Sequence, residues 1–309
     1  MTNINGLVLN AMLGTPDTSR VSSMKIAVFI RDFLKIPLLT GKSKILKPKK
    51  VDFLFIINSS LSFTTQEFRD FIPAQIKKSK IVIYIQNDYL LVPRKFWREF
   101  NSRPFIFWSS IKRKVVNKDD KFMNFNVITY KPQKRIAPIK DVLFYYGSCR
   151  PNRIDDMRKY LNSKRYKVNI SASSGVALKR YNILCPNADC YHDKSESIVD
   201  QIQKHKASIY MIDKTTARNL EMPANRFYEC LSAGVPILFD SKAELMMKKA
   251  GYNVTPYIVN SDKDVKILMK SYKNIAQNQL KWRKDFINNL KVEIKKNLQH
   301  LKNKYLGEK

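Results

Sequence analysis

The chain has 309 residues, which suits about two domains, and its hydrophobic content of 44% excludes wholesale disorder. Lys and Arg number 57 against 26 acidic residues. The codon bias of an AT-rich genome would raise the number of lysines, but it does not explain so large an excess of basic over acidic residues. The formal net charge is +31, and repulsion between like charges destabilises a compact protein unless a polyanion binds it. We therefore expect a nucleic acid or an anionic membrane as partner.

The first part of the chain alternates buried strands with helices. We predict strands over 4–9, 52–57, 80–85 and 105–109, and helices over 24–34 and 68–78. A loop covers 10–23, and a basic stretch without periodicity covers 42–50. This alternation is typical of a parallel sheet with helical crossovers.

A proline-containing basic segment, 131–138, indicates a linker, after which the alternation starts again. We predict strands over 142–146, 167–171, 207–212 and 235–239, and helices over 154–161, 225–233 and 267–300. The last of these helices is predicted to break near 276–278, and His205 is expected to be exposed on a lysine-rich helix.

These elements predict an α/β protein of two Rossmann-like domains with a cleft between them. We place the first domain at 1–135 and the second at 139–284, with a C-terminal helix over about 285–309 that packs back on the first. Ligands of such sheets bind at the carboxyl ends of the strands.

The predicted helix 225–233 carries Arg226 and Glu229 three residues apart on one face near its start. A guanidinium suits the diphosphate of a nucleotide sugar, and a carboxylate accepts hydrogen bonds from ribose hydroxyls. Gly234 ends the helix, and Pro236 prevents its continuation. A solvated ion pair on an ordinary amphipathic helix is the alternative interpretation.

A second motif, 147–153, lies between a predicted strand and a predicted helix. The turn at Gly147, the hydroxyl of Ser148 and the cations of Arg150 and Arg153 suit a phosphate. A surface turn with incidental arginines is the alternative. No dinucleotide fingerprint and no Walker loop occurs in the sequence.

Two aspartates follow predicted strands. Asp88 could face the interdomain cleft and deprotonate a hydroxyl nucleophile. Asp213 could contact a sugar hydroxyl or an arginine of the phosphate-binding turn. Each could instead cap a turn.

The cysteines and the chain start bear on compartment and metal binding. The first ten residues lack the pattern of a secretory signal, and no run of 18 uncharged apolar residues occurs, so we expect a reduced, cytoplasmic protein, in the host cell if it is viral. Cys185, Cys190 and His192 lack a zinc-site spacing and a clear fourth ligand, so we predict no metal site. Cys149 and Cys230 complete the set of cysteines.

Several segments resemble the T-even phage DNA β-glucosyltransferase family, whose members are two-domain GT-B enzymes. The matching pieces are Val21-Ser22-Ser23, Ile56-Ile57-Asn58-Ser59-Ser60, the Asp88 loop, Tyr146-Gly147-Ser148-Cys149-Arg150 and Arg226-Phe227-Tyr228-Glu229. Their order and spacing agree with the family over most of the chain. The resemblance implies a GT-B fold with a C-terminal helical tail.

The resemblance also implies a role for each matching position. Asp88 falls where the family keeps its catalytic base. Arg226 falls on a diphosphate-binding position and Glu229 on the ribose-binding glutamate. The full implied donor site comprises Val21, Ser22, Gly147, Ser148, Arg150, Arg153, Asp213, Arg226 and Glu229.

Some positions depart from the family pattern. Arg153 matches a phosphate-binding arginine only after deletion of one residue of the turn. Met24 replaces an acidic residue of the first loop, and the loop after Asp88 lacks the family's nearby arginine. The donor sugar and the modified base could therefore differ from those of the family.

The implied reaction moves a sugar from a UDP-sugar to the hydroxymethyl group of a 5-hydroxymethylpyrimidine in duplex DNA. Glucose is the first candidate for the sugar, and hydroxymethylcytosine is the first candidate for the base. The target base would be flipped out, the anomeric centre inverted, and phage DNA protected from host nucleases. A divalent cation, Mg²⁺ or Mn²⁺, could stimulate the reaction, and we expect a monomer without stable membrane association. The expected contacts to the DNA backbone are Lys42, Lys44, Lys47, Arg94, Lys95, Arg98, Lys112, Arg113 and Lys114.

Three alternatives stay open from the sequence. The enzyme could transfer arabinose or another sugar to modified DNA. A peripheral membrane glycolipid glycosyltransferase would use Phe96 and Trp97 beside their neighbouring cations. A non-catalytic DNA-binding protein would need no donor site.

Overall fold

The structure is a computed structural model, and it describes residues 4–10, 22–41, 43, 47–57, 65–86, 103–110, 118–129, 139–147, 149–193, 195–212 and 223–307. The chain divides into two compact units. The first comprises Met1–Thr129 with Phe286–Lys309, and the second comprises Tyr130–Asp285.

The first unit is built on a parallel sheet of six strands in the order β2-β1-β3-β4-β5-β6. Its strands are β1 (Gly6–Asn10), β2 (Leu38–Thr40), β3 (Val51–Ile57), β4 (Ser79–Gln86), β5 (Phe105–Ser109) and β6 (Lys121–Phe122). Strands β3 and β4 are buried along almost their whole length, as expected of apolar runs in a sheet covered on both faces. The strands predicted here from the sequence are confirmed.

Helices cover this sheet. Before residue 130, the described ones are α1 (Ser22–Leu34), α2 (Gln66–Lys77) and α3 (Asn126–Thr129). The Thr65 side chain caps α2 by accepting a hydrogen bond of 3.3 Å from the Phe68 amide. Phe68, Phe71 and Ile76 of this helix then pack into the core beside β3 and β4.

The second unit contains another parallel sheet of six strands, in the order β12-β11-β10-β7-β8-β9. Its strands are β7 (Lys140–Gly147), β8 (Lys167–Ala172), β9 (Asp189–Tyr191), β10 (His205–Tyr210), β11 (Ile237–Asp240) and β12 (Ile258–Val259). The chain runs from β7 outward to β9 and then returns to the other side of β7 as β10. The pair β7 and β10 is therefore the topological switch point of this sheet.

The helices of the second unit follow its strands. In the described part of the unit they are three short 3-10 helices (Pro151–Arg153, Ser241–Ala243 and Thr255–Tyr257), α4 (Ile154–Leu161), α5 (Gly175–Leu184), α6 (Ile198–Gln203), α7 (Asn225–Ala233), α8 (Glu244–Lys249), α9 (Asp262–Lys270) and α10 (Tyr272–Leu306). The unit boundary falls within α10. Helix α7 ends as predicted at Gly234, whose φ of +64° is left-handed, and the Val235 amide then donates to the Cys230 carbonyl over 3.1 Å.

Two expectations from the sequence are wrong. His205 is buried at the start of β10, because its Nδ1 lies 2.7 Å from the Gln201 carbonyl and its ring stacks 4.4 Å from that of Phe144. The tail does not break near 276–278. Its break lies at Ser271, and α10 continues because Ile275 and Gln279, four residues apart, are both buried on one face.

The α/β class with two Rossmann-like units and a long C-terminal helix is confirmed. Within the described ranges, no helix combines the length and the apolar content that a membrane span requires.

Candidate functional site

The switch point of the second sheet brings two sequence motifs together. Strand β7 ends at Gly147, and the neighbouring β10 ends at Tyr210. The 3-10 helix Pro151–Arg153 and α4 follow the first strand, and α7 follows the second, so both helical segments begin beyond the carboxyl edge of the sheet. This is the position at which open parallel sheets bind ligands.

Arg226 lies in the first turn of α7 and reaches across to the end of β7. Its Nη2 donates a hydrogen bond to the Tyr146 carbonyl. Its guanidinium carbon lies 4.3 Å from the centroid of the Tyr145 ring and 5.0 Å from that of Tyr146. The guanidinium is thereby held between backbone and aromatic faces, in the geometry of cation–π contact.

The backbone at Gly147 accommodates this arginine. Its φ is +126°, a value that side chains disfavour, and a Cβ there would lie 2.6 Å from Arg226 Nη2. A residue with a side chain would therefore push the guanidinium away from the end of the strand. The need for glycine at the end of β7 therefore has a concrete steric cause.

Arg226 keeps hydrogen-bonding capacity. Among the residues that the structure describes, its buried Nε has no hydrogen-bond partner. Ala224, the N-cap residue of α7, offers no side-chain hydrogen bond to the first turn of the helix. Arginine donors beside uncapped amides at a helix N-terminus form an arrangement suited to a phosphate.

Arg153 joins the same cluster through Tyr145. Burial raises the pKa of the Tyr145 hydroxyl, but the positive charges of Arg226 and Arg153 outweigh it and hold this pKa below its ordinary value. Arg153 itself is only 8% exposed. The two arginines come from motifs more than 70 positions apart in the sequence, and the fold brings both to one tyrosine.

Two further buried tyrosines form hydrogen bonds at the carboxyl edge of the second sheet. The Tyr210 hydroxyl accepts a hydrogen bond of 2.8 Å from the Ala224 amide and so fixes the start of α7. The Tyr181 hydroxyl donates to the Gly147 carbonyl over 3.4 Å. Tyr145, Tyr181 and Tyr210 were not predicted as site residues. The run of aromatic residues at 144–146, directly before the motif 147–153, was a visible signal for Tyr145.

Glu229 lies one turn after Arg226, and Tyr146 connects the two. Its carboxylate accepts a hydrogen bond from the Tyr146 hydroxyl, while Arg226 binds the Tyr146 carbonyl. Burial first, and then the negative charge of nearby groups including Glu229, raise the pKa of Tyr146 well above its ordinary value. The phenol therefore stays protonated as a donor.

The remaining predicted donor residues differ in their placement. Arg150 precedes the 3-10 helix and is exposed. Ser22 begins α1 in the first unit. Val21, Ser148, Asp213 and the predicted base Asp88 lie outside the described residues.

Of the cations predicted to contact DNA, Lys47 alone lies in a described part of the chain, and it is exposed. It precedes β3, at the amino end of the first sheet. The neighbouring backbone is fixed there, because Gln75 exchanges hydrogen bonds of 2.9 and 2.7 Å with the Lys49 amide and carbonyl. Lys42, Lys44, Arg94, Lys95, Arg98, Lys112, Arg113 and Lys114 lie outside the described residues.

The cysteine and histidine side chains near β9 have local partners. His192 Nδ1 lies 2.7 Å from the Ala172 carbonyl, and Cys185 Sγ lies 3.8 Å from the Met157 carbonyl. Burial raises the pKa of Cys185 to about 12 and that of Cys190 to about 11, so both are thiols. Across the described ranges, no three His, Cys, Asp or Glu residues are grouped to hold a metal ion.

No protein-family model and no curated protein sequence matches the chain. Solved structures do match it. T4 phage BGT in complex with its UDP-glucose substrate is 15% identical, with a TM-score of 0.60 over 94% of this chain and 98% of that one. A further structure of the DNA modifying enzyme β-glucosyltransferase is also 15% identical, with a TM-score of 0.58 over 94% of this chain and 99% of that one.

An α-glucosyltransferase in complex with UDP and a 13-mer DNA containing an HMU base is 13% identical, with a TM-score of 0.56 over 93% of this chain and 95% of that one. The chain has the fold of these DNA glucosyltransferases. The likeness covers nearly the full length of each protein, so both units and the long helix α10 belong to the shared fold.

Proposed function

We propose that the chain is a UDP-sugar-dependent DNA glycosyltransferase. The observation that carries the proposal is the meeting of Arg226 and Arg153 at Tyr145, near the end of β7 and at the switch point of a Rossmann-like sheet. Two cations beside uncapped helix amides balance the negative charge of a nucleotide diphosphate and supply hydrogen-bond donors for its oxygens. The fold shared with UDP-binding DNA glucosyltransferases supports the same donor class.

On the donor side, we assign the diphosphate to Arg226, Arg153 and Arg150, with the amides at the start of α7. Glu229 then accepts hydrogen bonds from the ribose hydroxyls, in exchange for or beside its contact with Tyr146. The guanidinium groups stabilise the negative charge that develops on UDP as the bond to the anomeric carbon breaks. A divalent cation at the diphosphate would add to this charge compensation.

On the acceptor side, the proposed substrate is a 5-hydroxymethylpyrimidine in duplex DNA, with hydroxymethylcytosine as the first candidate. The base must leave the stack, because its hydroxymethyl group cannot meet a protein-bound sugar within the duplex. Asp88 takes the hydroxyl proton while the oxygen attacks the anomeric carbon and UDP departs with the bonding electrons. In-line attack inverts the anomeric centre.

The charge of the chain supports DNA as the partner. A formal net charge of +31 favours contact with phosphates, which position the duplex without reading its sequence. We assign glucose as the donor sugar, with arabinose and aminosugars as the alternatives that the nucleotide-binding residues do not discriminate.

Mass spectrometry of nucleosides tests the proposal. Hydroxymethylated duplex DNA is incubated with the protein and a panel of UDP-sugars, and unmodified DNA serves as the substrate control. A mass increase equal to one sugar residue on the hydroxymethylated nucleoside is expected. Arg226→Ala should abolish most of it, whereas Arg158→Ala, an exposed arginine on α4, should not.

The competing functions predict different results. A glycolipid transferase would bind vesicles of anionic phospholipid but not duplex DNA. A non-catalytic DNA-binding protein would bind DNA but show no thermal shift with UDP. Absence of transfer from every UDP-sugar, together with absence of UDP binding, would contradict the proposed function.

A further inference from the structure

A second charged feature of the second unit lies at the opposite edge of the same sheet. A groove of about 640 Å³ opens where β7, β8 and β10 begin. The residues that line it are Lys140, Asp141, Val142, Arg165, Tyr166, Lys167, Lys206, Lys266, Met269 and Lys270. We call it the amino-edge groove.

The amino-edge groove is separate from the nucleotide site proposed above. Lys140 begins β7 at the groove, and Gly147 ends the same strand at the proposed site. Seven steps of an extended strand span roughly 23 Å at about 3.3 Å per residue. One ligand phosphate cannot reach both edges, so the groove requires an explanation of its own.

The groove carries a strong excess of positive charge. Six cations line it against a single carboxylate, Asp141, which Lys206 already binds over 2.8 Å. Arg165 is paired with Asp262 over 3.1 Å. The other four cations make no ion pair with any carboxylate that the structure describes, and these are Lys140, Lys167, Lys266 and Lys270.

Unpaired cations gathered around one concavity repel each other, and an anionic ligand removes this cost. The fold creates the cluster, since parallel pairing places the first residues of β7 and β8 side by side and Val142 pairs with Lys167. Helix α9 adds Lys266 and Lys270 from another part of the chain. These two lie one helical turn apart, about 6 Å along the axis at 1.5 Å per residue, so they can contact different phosphates of one strand.

The chemistry of the lining favours a phosphodiester backbone over other anions. Five of the six cations are lysines, which bind phosphates as point charges without demanding one bidentate geometry. The Tyr166 hydroxyl donates its proton to the Tyr160 carbonyl over 2.8 Å, so it does not serve as a donor to a base or a sugar. The two apolar residues of the lining, Val142 and Met269, are buried, so the groove offers no exposed apolar side chain for insertion into a membrane.

We propose that the amino-edge groove is a sequence-independent contact site for the phosphate backbone of duplex DNA, additional to the contacts made at the target base. The proposal rests on the proposed function for its choice of duplex DNA. Its role is to raise affinity for long DNA without taking part in sugar transfer.

Binding of a labelled, unmodified DNA duplex between about 50 and 200 mM salt tests this proposal. We expect K266Q/K270Q to weaken binding and to make the slope of log affinity against log salt shallower by about 2, one unit for each lost phosphate contact. The matched control is K248Q/K249Q, which removes the same charge from exposed lysines at the end of α8 in the same unit. The control should keep the wild-type slope.

Additional measurements separate this proposal from the proposed function. The thermal shift with UDP should be the same for the K266Q/K270Q protein and the wild type, which also shows that the variant folds. If both double variants change the DNA slope equally, only general charge matters and the groove proposal fails, whether or not sugar transfer is observed. If K266Q/K270Q instead lowers binding to phosphatidylserine vesicles and leaves DNA binding unchanged, the assignment to DNA is overturned. Sugar transfer to short hydroxymethylated DNA tests the proposed function alone.

Discussion

The Arg226 guanidinium occupies the space that a side chain at position 147 would need, because a Cβ on Gly147 would lie 2.6 Å from Arg226 Nη2. The backbone at Gly147 also has a φ of +126°. We predict that Gly147→Ala displaces the guanidinium and strains the backbone at the end of β7, at a cost of about 1–3 kcal/mol in folding free energy. UDP affinity should fall, as measured by calorimetric titration.

Gly175→Ala is the matched control for this glycine. Gly175 begins α5 in the same unit, and an added Cβ there would meet nothing within 4 Å. This variant should keep wild-type stability and UDP affinity. Equal UDP affinity of the Gly147→Ala protein and the wild type would show that the position of Arg226 does not matter for the donor.

Arg226→Lys tests whether the planar guanidinium is required. A lysine keeps the positive charge but cannot lie flat against the Tyr145 ring while it donates to the Tyr146 carbonyl. Because a hydrogen bond to a charged group contributes about 1.5–3 kcal/mol, UDP binding should weaken by about ten- to a hundredfold. Retention of wild-type UDP affinity by this variant would remove Arg226 from the donor site.

Asp88→Ala tests the proposed general base. Loss of a general base usually lowers the turnover number by about a hundredfold or more. Since Asp88 is assigned to the acceptor and not to the diphosphate, the Kd for UDP should change little. The turnover number comes from a sugar-transfer assay at saturating donor and DNA, and an unchanged value would exclude Asp88 as the base.

Gln279→Met tests how α10 is attached to the second sheet. The buried Gln279 side chain accepts from the Ile237 amide and donates to the Ile237 carbonyl, both over 2.8 Å. Methionine has a similar volume but leaves both backbone groups without these partners, at about 1–3 kcal/mol for each unsatisfied group. Denaturant unfolding should show a loss of about 2–4 kcal/mol. The exposed neighbour Gln277→Met should lose almost nothing, and an equal loss in both would point to helix propensity instead.

Asp119→Asn tests a pH-dependent contact at the end of α10. Partial burial would raise the pKa of Asp119, but hydrogen bonds from Lys304 and Tyr305, 2.7 and 2.6 Å long, lower it to about 2. A carboxylate with a lowered folded-state pKa stabilises the protein above its unfolded pKa near 3.8, and this contribution is lost as pH falls toward about 2.

The difference in unfolding midpoint between wild type and Asp119→Asn should therefore be largest near neutral pH and shrink below about pH 4. Asp32→Asn, which removes a carboxylate from an exposed pair with Arg31 in the same unit, should give a smaller difference. A difference for Asp119→Asn that stays constant down to pH 2 would contradict the assigned pKa.

Local sequence patterns were sufficient for the main elements. The apolar runs of β3 and β4 predicted buried strands, and Gly234 correctly marked the end of α7. Short elements such as β9 and β12, with three and two residues, were not predicted, because their pairing depends on a neighbouring strand and not on their own composition. His205 was misplaced for a related reason, since its burial follows from contacts with Phe144 and Gln201 that local charge does not indicate.

The sequence by itself determined the alternation of strands and helices, the large positive charge, and which arginines and acids were available for a nucleotide. These properties depend on residue type and on spacing within about a dozen positions. Only the tertiary structure decided that Arg226 and Arg153 share Tyr145, and that lysines from β7, β8 and α9 line one groove. Both depend on parallel pairing of strands distant in the chain, and the energy of that pairing is not encoded in any one segment.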